Sequence, residues 1–267
     1  MQPPAGPPPE TPASNRLLAT GSLDDVREPY AYDLHGNMTA MPGLPTMAWD
    51  WREAMVTSAA SDGGTGVEYA CDAGGQRVRK VWHGSRDGAT RTERVYLGAF
   101  EVYREYKGDL DSTPRLVRWT VHVMDDQRRV YCEERDEGPD AIGVLCRYQL
   151  DDHLGSSRLE LGGEGVTGHT SRGELGREDF HPYGTTAYQS ADPALAKRPK
   201  RYRYTGMERD AETGLQLHGV RYYAAWLGRW TSPDPLVSNS IASYCYCNGR
   251  PLDVVDRDGL KPSSLDD

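Results

Sequence analysis

VEYACDAGGQRVRKVW, residues 67–82, is the stretch on which the fold class depends. It opens with a short run around Tyr69, passes through Asp72 and a Gly-Gly pair, and then alternates Arg and Lys with Val and Trp. Alternation with a period of two is typical of a β-strand with one solvent-exposed face, and tight turns favour Asp and Gly. The stretch therefore predicts two strands joined by a turn.

The same strand–turn–strand pattern recurs along most of the chain. Further runs of this kind occupy residues 94–103, 116–123, 129–133, 147–161 and 201–204. No stretch carries a long apolar stripe at helical spacing, and residues 190–200 hold the one short helix that we predict. The acidic interval 134–143 and the Gly-rich interval 162–176 are predicted loops. Because single hairpins cannot bury a face alone, we predict a mostly β fold in which a series of antiparallel hairpins depends on its neighbours.

The composition indicates a thin or hollow architecture. Hydrophobic residues make up 37% of the 267 residues, and there are 16 Tyr but only 2 Phe. Tyr carries an apolar ring and a polar tip, so it suits half-wet surfaces. A β protein that places Tyr on exposed strand faces remains the alternative.

Charge and cysteine content exclude some classes of function. A net charge of −9 argues against a generic nucleic-acid binder. No apolar run approaches the roughly 20 residues that cross a bilayer, and no secretory signal opens the chain. The five widely spaced cysteines predict buried or half-buried free thiols and synthesis in a reducing compartment.

A set of ordered motifs in the C-terminal half resembles a known family. They are YQLDDHLGS (148–156), FHPYG (180–184), RYRYTGMERD (201–210), ETGL (212–215), RYY (221–223), LGRW (227–230), SPDP (232–235) and VDRDG (255–259). Together they resemble the RHS repeat-associated core domain. Upstream, YDLHGN (32–37) and residues 69–77 resemble degenerate YD repeats. Residues 49–50, 96–98 and 122–126 are further similar to the C component of insecticidal Tc toxin complexes.

The resemblance implies a division of the chain and a set of partners. Residues 1–20 would be a disordered Pro-rich lead, 21–146 YD-repeat hairpins, 147–260 the RHS core, and 261–267 a short tail without its payload. In this family the hairpins coil into part of a shell around a C-terminal effector, which implies a curved sheet with a compact core near the C-terminus. The expected partners are the remaining shell (N-terminal repeats or a Tc B-type component) and that effector, with no nucleic acid and no membrane insertion. The protein would be made in the bacterial cytoplasm and exported within a larger toxin, and open sheet edges are expected on the N-terminal side.

The resemblance also implies an aspartyl autoprotease that acts only on its own chain. Asp234 in SPDP and Asp256 in VDRDG match the two catalytic aspartates by motif position, and Asp258 could substitute for one of them or cap a turn. The expected cut lies between Leu260 and Lys261. Two adjacent carboxylates suit this chemistry because like charges in contact cannot both ionise.

Two departures from the family pattern leave a second interpretation open. Leu236 follows Pro235 in a segment without the usual Gly, and only eight residues follow Gly259. Asp is also an ordinary turn residue. The alternative is therefore a non-catalytic structural or cell-surface interaction module.

Other candidate sites are weaker. His153 and Ser156 lack a third triad member with a motif context, and Asp151 and Asp152 lack the alternating ligands of a calcium loop. The arginines at 201, 203, 209, 221 and 229 alternate with Tyr, which occurs in single-strand binders, but we expect them to pair with Asp and Glu. No cofactor and no metal site is predicted.

Overall fold

The computed structural model describes residues 15–21, 27–59, 66–86, 89–108, 113–126, 128–163, 173–236 and 242–264. Strands dominate these residues, which confirms the mostly β prediction. Four short strands come first: β1 (Ala19–Gly21), β2 (Arg27–Pro29), β3 (Ala31–Tyr32) and β4 (Met38–Ala40). β1 pairs with β2 and β3 pairs with β4, both antiparallel.

Twelve strands then form one antiparallel sheet in which spatial order follows chain order. They are β5 (Thr46–Trp49), β6 (Met55–Ala59), β7 (Gly66–Cys71), β8 (Arg77–Arg86), β9 (Ala89–Leu97), β10 (Phe100–Tyr106), β11 (Leu116–Asp125), β12 (Arg128–Glu137), β13 (Val144–Asp151), β14 (Ser157–Gly162), β15 (Glu174–Phe180) and β16 (Thr186–Ala191). Each strand pairs with its neighbours in sequence, so the sheet is the series of hairpins that the alternation predicts.

The opening stretch shows how one hairpin is built. β7 and β8 pair from Gly66 opposite His83 to Cys71 opposite Arg77. The turn between them is closed by Asp72, whose Oδ1 accepts hydrogen bonds from the N–H of Gly74 (2.8 Å) and of Gln76 (3.0 Å). The same device recurs at Asp152, which accepts from the N–H of Ser156 at 2.9 Å. These turns are local, which is why the sequence predicts them.

The C-terminal part of the chain lies against one face of this sheet. It contains a four-stranded sheet and a hairpin: β17 (Glu208–Arg209), β18 (Gln216–His218), β19 (Arg221–Ala224), β20 (Arg229–Trp230), β21 (Val254–Val255) and β22 (Ser263–Ser264). Single 3₁₀ turns span Pro193–Leu195, Tyr204–Gly206 and Tyr246–Gly249. One apolar cluster joins this part to the first hairpins through Tyr69, Trp82 and Tyr222. A second lies within it around Tyr223, Trp230 and Tyr246.

Between these clusters, the sheet meets the segment 198–210 through charged side chains that are buried or half-buried. We call this set the charged seam. The residues that the sheet contributes are Arg77, Lys80, Arg94, Glu101, Arg118, His122, Glu134, Asp136, Arg147, Glu160 and Glu178. The segment 198–210, which we call the crossing segment, contributes Arg198, Lys200, Arg201, Arg203, Glu208 and Asp210. Buried charges are tolerated in proteins only when they are paired and hydrogen-bonded.

Glu101 occupies the centre of the seam and is 1% exposed. Its carboxylate binds Arg94 at 3.0 Å, Arg201 at 2.5 Å and His122 at 2.8 Å. The hydroxyl of Tyr202 donates to it at 2.5 Å. Burial alone would raise the pKa of Glu101, but Arg201, His122 and Arg94 hold it well below its usual range. Glu101 is therefore a buried anion held by two arginines, by Tyr202 and by His122, whose own pKa is lowered by burial.

The seam corrects two sequence predictions. Residues 134–137 are not a loop but the end of β12, because Glu134 and Asp136 point into the seam, where Arg118 binds Asp136 at 2.7 Å. Residues 201–204 are not a strand, apart from one isolated bridge at Tyr202. The three consecutive side chains of Arg201, Tyr202 and Arg203 all contact carboxylates of the seam, so their alternation does not mark a strand.

The structure also bears on the predicted short helix and on the predicted Gly-rich loop. The helix expected within 190–200 is one 3₁₀ turn, and the side chain of Asp192 caps it by accepting a hydrogen bond from the N–H of Ala194. In the Gly-rich interval, residues 164–172 lie outside the described residues, and 174–176 belong to β15.

The five cysteines carry free thiols, as predicted, but Cys245 is exposed. The predicted boundary at 146/147 falls within β13, and the division into repeat and core regions stays a prediction. Residues 1–14 of the predicted lead and 265–267 of the predicted tail lie outside the described residues.

Replacing Glu101 by Gln tests the seam. The substitution keeps the shape of the side chain but leaves Arg94 and Arg201 without their shared anion, so we expect the free energy of unfolding to fall by about 3–5 kcal/mol. Urea denaturation of the parent and the variant measures this loss. Glu133→Gln is the matched control, because Glu133 lies on the opposite face and pairs with the exposed Arg135 at 3.3 Å. The control should lose less than about 1 kcal/mol, and equal losses in the two variants would contradict the seam's role.

Candidate functional site

The two aspartates that the sequence singles out meet at one arginine. Asp234 lies in the turn after β20, Asp256 follows β21, and Arg221 opens β19. Nη2 of Arg221 lies 3.3 Å from Oδ2 of Asp234 and 3.2 Å from Oδ2 of Asp256. The structure therefore brings both carboxylates to the same buried nitrogen atom.

The turn that carries Asp234 is held from both ends of the chain. The N–H of Asp234 donates to the carbonyl of Ser243 at 2.9 Å. Just before it, the carbonyl of Thr231 accepts from the N–H of Met38 at 2.8 Å. The hydroxyl of Tyr244 donates to the carbonyl of Gly36 at 2.6 Å. The YDLHGN segment is thus part of the support for this turn.

Asp256 is fully buried, and its surroundings favour the protonated form. Burial raises the pKa of Asp256 to about 6, with Arg221 acting against this rise and Asp258 adding to it. Its Oδ1 makes no hydrogen bond with any described residue. Asp256 can therefore carry a proton in weakly acidic solution, which an ordinary aspartate does not.

Arg221 also contacts the chain beyond Asp256. Its Nε donates to the carbonyl of Gly259, and its guanidinium lies 4.2 Å from the ring centroid of Trp230. Burial lowers the pKa of Arg221, while Asp234 and Asp256 oppose that shift. One guanidinium thus joins the two carboxylates to the segment that contains the predicted cleavage site.

His218 is a further member of the site that sequence reasoning missed. It is fully buried, and its ring packs edge-on against Tyr223, Trp230 and Tyr246. Burial lowers the pKa of His218 to about 4, so the ring is neutral near pH 7. Its Nδ1 lies 2.6 Å from the carbonyl oxygen of Asp256, which assigns the ring hydrogen to Nδ1. His218 fixes the backbone at Asp256. The only sequence feature that marks His218 is its place in LHGV (217–220), the turn directly before RYY (221–223).

The predicted cleavage site lies in the loop between β21 and β22. Oδ1 of Asp258 accepts hydrogen bonds from the N–H of Leu260 (2.9 Å) and of Lys261 (3.2 Å). Although burial acts in the opposite sense, these two donors lower the pKa of Asp258. Leu260 is half-buried and Lys261 is exposed. Asp258 thus caps the turn, which is one of its two predicted roles.

The weaker candidates are not assembled into sites. Nε2 of His153 faces the carbonyl of Leu252 at 3.0 Å, whereas Oγ of Ser156 accepts from the N–H of Thr205. Of the arginines that alternate with Tyr, Arg201, Arg203 and Arg221 pair with Glu or Asp as expected, whereas Arg229 donates to the carbonyl of Asn15. In the described ranges, no group of three or more His, Cys, Asp and Glu side chains is arranged to hold a metal. The described residues also contain no helix long and apolar enough to span a membrane.

The buried position of Asp256 makes a prediction about stability and pH. Its pKa is about 6 in the folded state against 3.8 for an unperturbed aspartate. The folded state therefore loses stability as pH rises from about 4 through 6, because the buried carboxyl must ionise. An Asp256→Asn variant has no such carboxyl. Relative to the parent, its free energy of unfolding should rise by about 2 kcal/mol between pH 4 and pH 8.

Urea denaturation at several pH values measures this difference. Asp253→Asn is the matched control, since Asp253 lies three residues earlier with its side chain 63% exposed. The control should track the parent at every pH. An Asp256→Asn variant that also tracks the parent would show that the carboxyl is not desolvated.

Comparison with known proteins relates the chain as a whole to bacterial toxin subunits. No protein-family model matches the chain. Toxin subunit YenC1 of Yersinia entomophaga is 32% identical over 256 residues, which are 93% of this chain and 26% of that protein. The chain thus spans about a quarter of the length of this relative.

Solved structures agree with the sequence comparison. The Tc holotoxin pore of Photorhabdus luminescens, in a form with one aspartate of TccC3 replaced by Ala, is 25% identical with a TM-score of 0.73, covering 87% of this chain and 11% of that one. A crystal structure of TcdB2-TccC3 is 26% identical with a TM-score of 0.73, covering 86% of this chain and 11% of that one. Sequence and fold together show that the chain is an RHS-type β segment similar to part of the C component of Tc toxin complexes.

Proposed function

We propose that this chain is a shell and core segment of a Tc-type toxin that encloses a C-terminal effector and releases it by self-cleavage between Leu260 and Lys261. The observation that carries the proposal is the shared guanidinium: Arg221 binds Asp234 and Asp256 through Nη2 and the carbonyl of Gly259 through Nε. Two carboxylates and the chain to be cut are thereby held by one buried residue.

The proposed reaction is hydrolysis of a peptide bond by two carboxyl groups. Asp234, the more exposed of the pair, takes a proton from a water molecule as its oxygen attacks the carbonyl carbon of Leu260. Asp256 gives its proton to the carbonyl oxygen. On collapse of the tetrahedral intermediate, Asp234 passes its proton to the nitrogen of Lys261 as the C–N bond breaks, and one hydroxyl of the intermediate returns a proton to Asp256. The products are a carboxylic acid at Leu260 and an amine at Lys261, both aspartates regain their starting protonation states, and no cofactor or metal takes part.

The division of roles follows from the environments of the two aspartates. Asp256 is fully buried and its pKa is raised to about 6, so it suits the acid. The side chain of Asp234 is 15% exposed, so it suits the group that meets water. Pairs of carboxyls in unlike surroundings divide acid and base roles in this way.

The proposed partners follow from the relatives. TcdB2 and TccC3 are crystallised together, and we propose that this chain joins the rest of a shell, either further repeats or a B-type component, around an effector that lies outside this chain. Neither nucleic acid binding nor membrane insertion by this segment forms part of the proposal. Synthesis in the bacterial cytoplasm and export within a larger toxin complete it.

A reporter fusion tests the self-cleavage. A folded reporter is fused after Asp267, and intact mass is followed over time for the parent, Asp234→Asn and Asp256→Asn. We expect the parent to lose the reporter at Leu260–Lys261 and each variant to react at least about 100-fold more slowly, since each lacks one proton-transfer group. Asp253→Asn is the control and should react like the parent.

The opposite result has a clear meaning. If the parent stays whole while its unfolding curve shows a folded protein, the aspartates are turn residues. The non-catalytic structural or cell-surface module then becomes the better interpretation.

The proposal also predicts how cleavage depends on pH. The acid must be protonated, and the pKa of Asp256 is about 6. The cleavage rate should therefore fall about tenfold per pH unit above pH 6. The time course of reporter loss between pH 4 and pH 9 measures this, and a rate that is constant from pH 6 to pH 9 would rule out Asp256 as the acid.

A further inference from the structure

We propose that Arg221 and Asp258 are positioning residues that determine which peptide bond is cut, because they clamp residues 259–261 in a fixed register. This inference rests on the proposed self-cleavage. It adds a specificity device: the bond is selected by its distance along the chain from Gly259, not by the side chain at position 260.

The first half of the clamp holds the chain before the bond. Nε of Arg221 donates to the carbonyl of Gly259, and the N–H of Val220 donates to the carbonyl of Asp258 at 3.1 Å. Arg221 is itself buried and stacked on Trp230, so it is a rigid anchor. The backbone on the amino side of Leu260 is therefore tied to the turn between β18 and β19.

The second half holds the chain at the bond. The carboxylate of Asp258 accepts from the N–H of Leu260 at 2.9 Å and from that of Lys261 at 3.2 Å. The N–H of Lys261 belongs to the peptide that is proposed to break. Beyond it, the chain pairs again where Ser263 lies opposite Val255. The bond is thus fixed on both sides.

Glycine is required where the two turns touch. A Cβ atom on Gly259, whose φ is +70°, would lie 2.4 Å from the carbonyl oxygen of His218. A Cβ atom on Gly219 would lie 2.3 Å from the carbonyl oxygen of Asp258. The space between the two turns is therefore too small for a Cβ atom. Shifting residues 259–261 by one position against Arg221 would place a side chain in that space, so only one alignment fits.

The clamp uses backbone atoms, and this has a consequence for specificity. The three hydrogen bonds that hold residues 259–261 against Arg221 and Asp258 are made to carbonyl or N–H groups of that segment, which every residue except Pro provides. Leu260 is only half-buried. The register should therefore survive a change of side chain at position 260 and follow the residue count from Gly259.

An insertion distinguishes position from side chain. One Ala is inserted between Gly259 and Leu260 in the reporter fusion, and the new N-terminus of the released fragment is sequenced. We expect cleavage directly after the inserted Ala, so that the fragment begins with Leu260. A fragment that still begins with Lys261 would overturn the clamp, because the side chain of Leu260 would then select the bond.

Two substitutions keep the test decisive if the insertion disturbs folding. Leu260→Ser should be cut at the same bond with a rate within about tenfold of the parent. Asp258→Ala should spread cleavage over neighbouring bonds, since the N–H groups of Leu260 and Lys261 lose their anchor, whereas Asp253→Ala should cut only at the parental bond. A single parental cleavage site in Asp258→Ala would contradict the proposal.

The two proposals fail in different ways. A parent fusion that stays whole overturns the self-cleavage and the clamp together. A parent that is cut normally, with an insertion variant cut after Leu260, overturns the clamp alone.

Discussion

The charged seam is the constraint on which the rest of the fold depends. A buried carboxylate or guanidinium is tolerated only with a partner in place, and removing one partner leaves the other as an uncompensated charge. At Glu101 the partners come from β9, β11 and the crossing segment together. The crossing segment therefore has one register against the sheet, and the hairpins cannot slide past it without breaking ion pairs.

That register carries through to the site. Arg77 binds Glu208 at 2.5 Å and Asp210 at 3.0 Å, which fixes β17 against the sheet. β18 and β19 pair onward from β17, so the positions of His218 and Arg221 follow from this contact. The ion pairs of Arg77 in the seam thus determine where His218 and Arg221 lie in the site. The chemistry is local, but its geometry depends on the whole seam.

The sequence predicts the hairpins well because their causes are local. Asp72 and its glycines close a turn within five residues, and the alternation that follows needs no distant partner. The seam could not be predicted from local sequence, because its contacts are long-range: Asp136 binds Arg198, which lies 62 residues away. When the partners of an acidic run are unknown, its sequence alone predicts a loop. Asp234 and Asp256 were found through their motifs. Arg221 gains its role from contacts with Asp234, Asp256 and Gly259, and His218 gains its role from the carbonyl of Asp256; no spacing in the sequence reveals these contacts.

The site also shows why such a carboxyl pair needs the finished fold. The Asp234 turn is held by Met38 and Gly36, and the latter meets Tyr244 across 208 residues of chain. Asp256 is held by the carbonyl contact with His218 and by Arg221. Each aspartate thus reaches Arg221 through a different long-range contact, and neither contact implies the other. Without these contacts the two aspartates would be separate turn residues with no shared cation, so the carboxyl pair depends on both the first hairpins and the last.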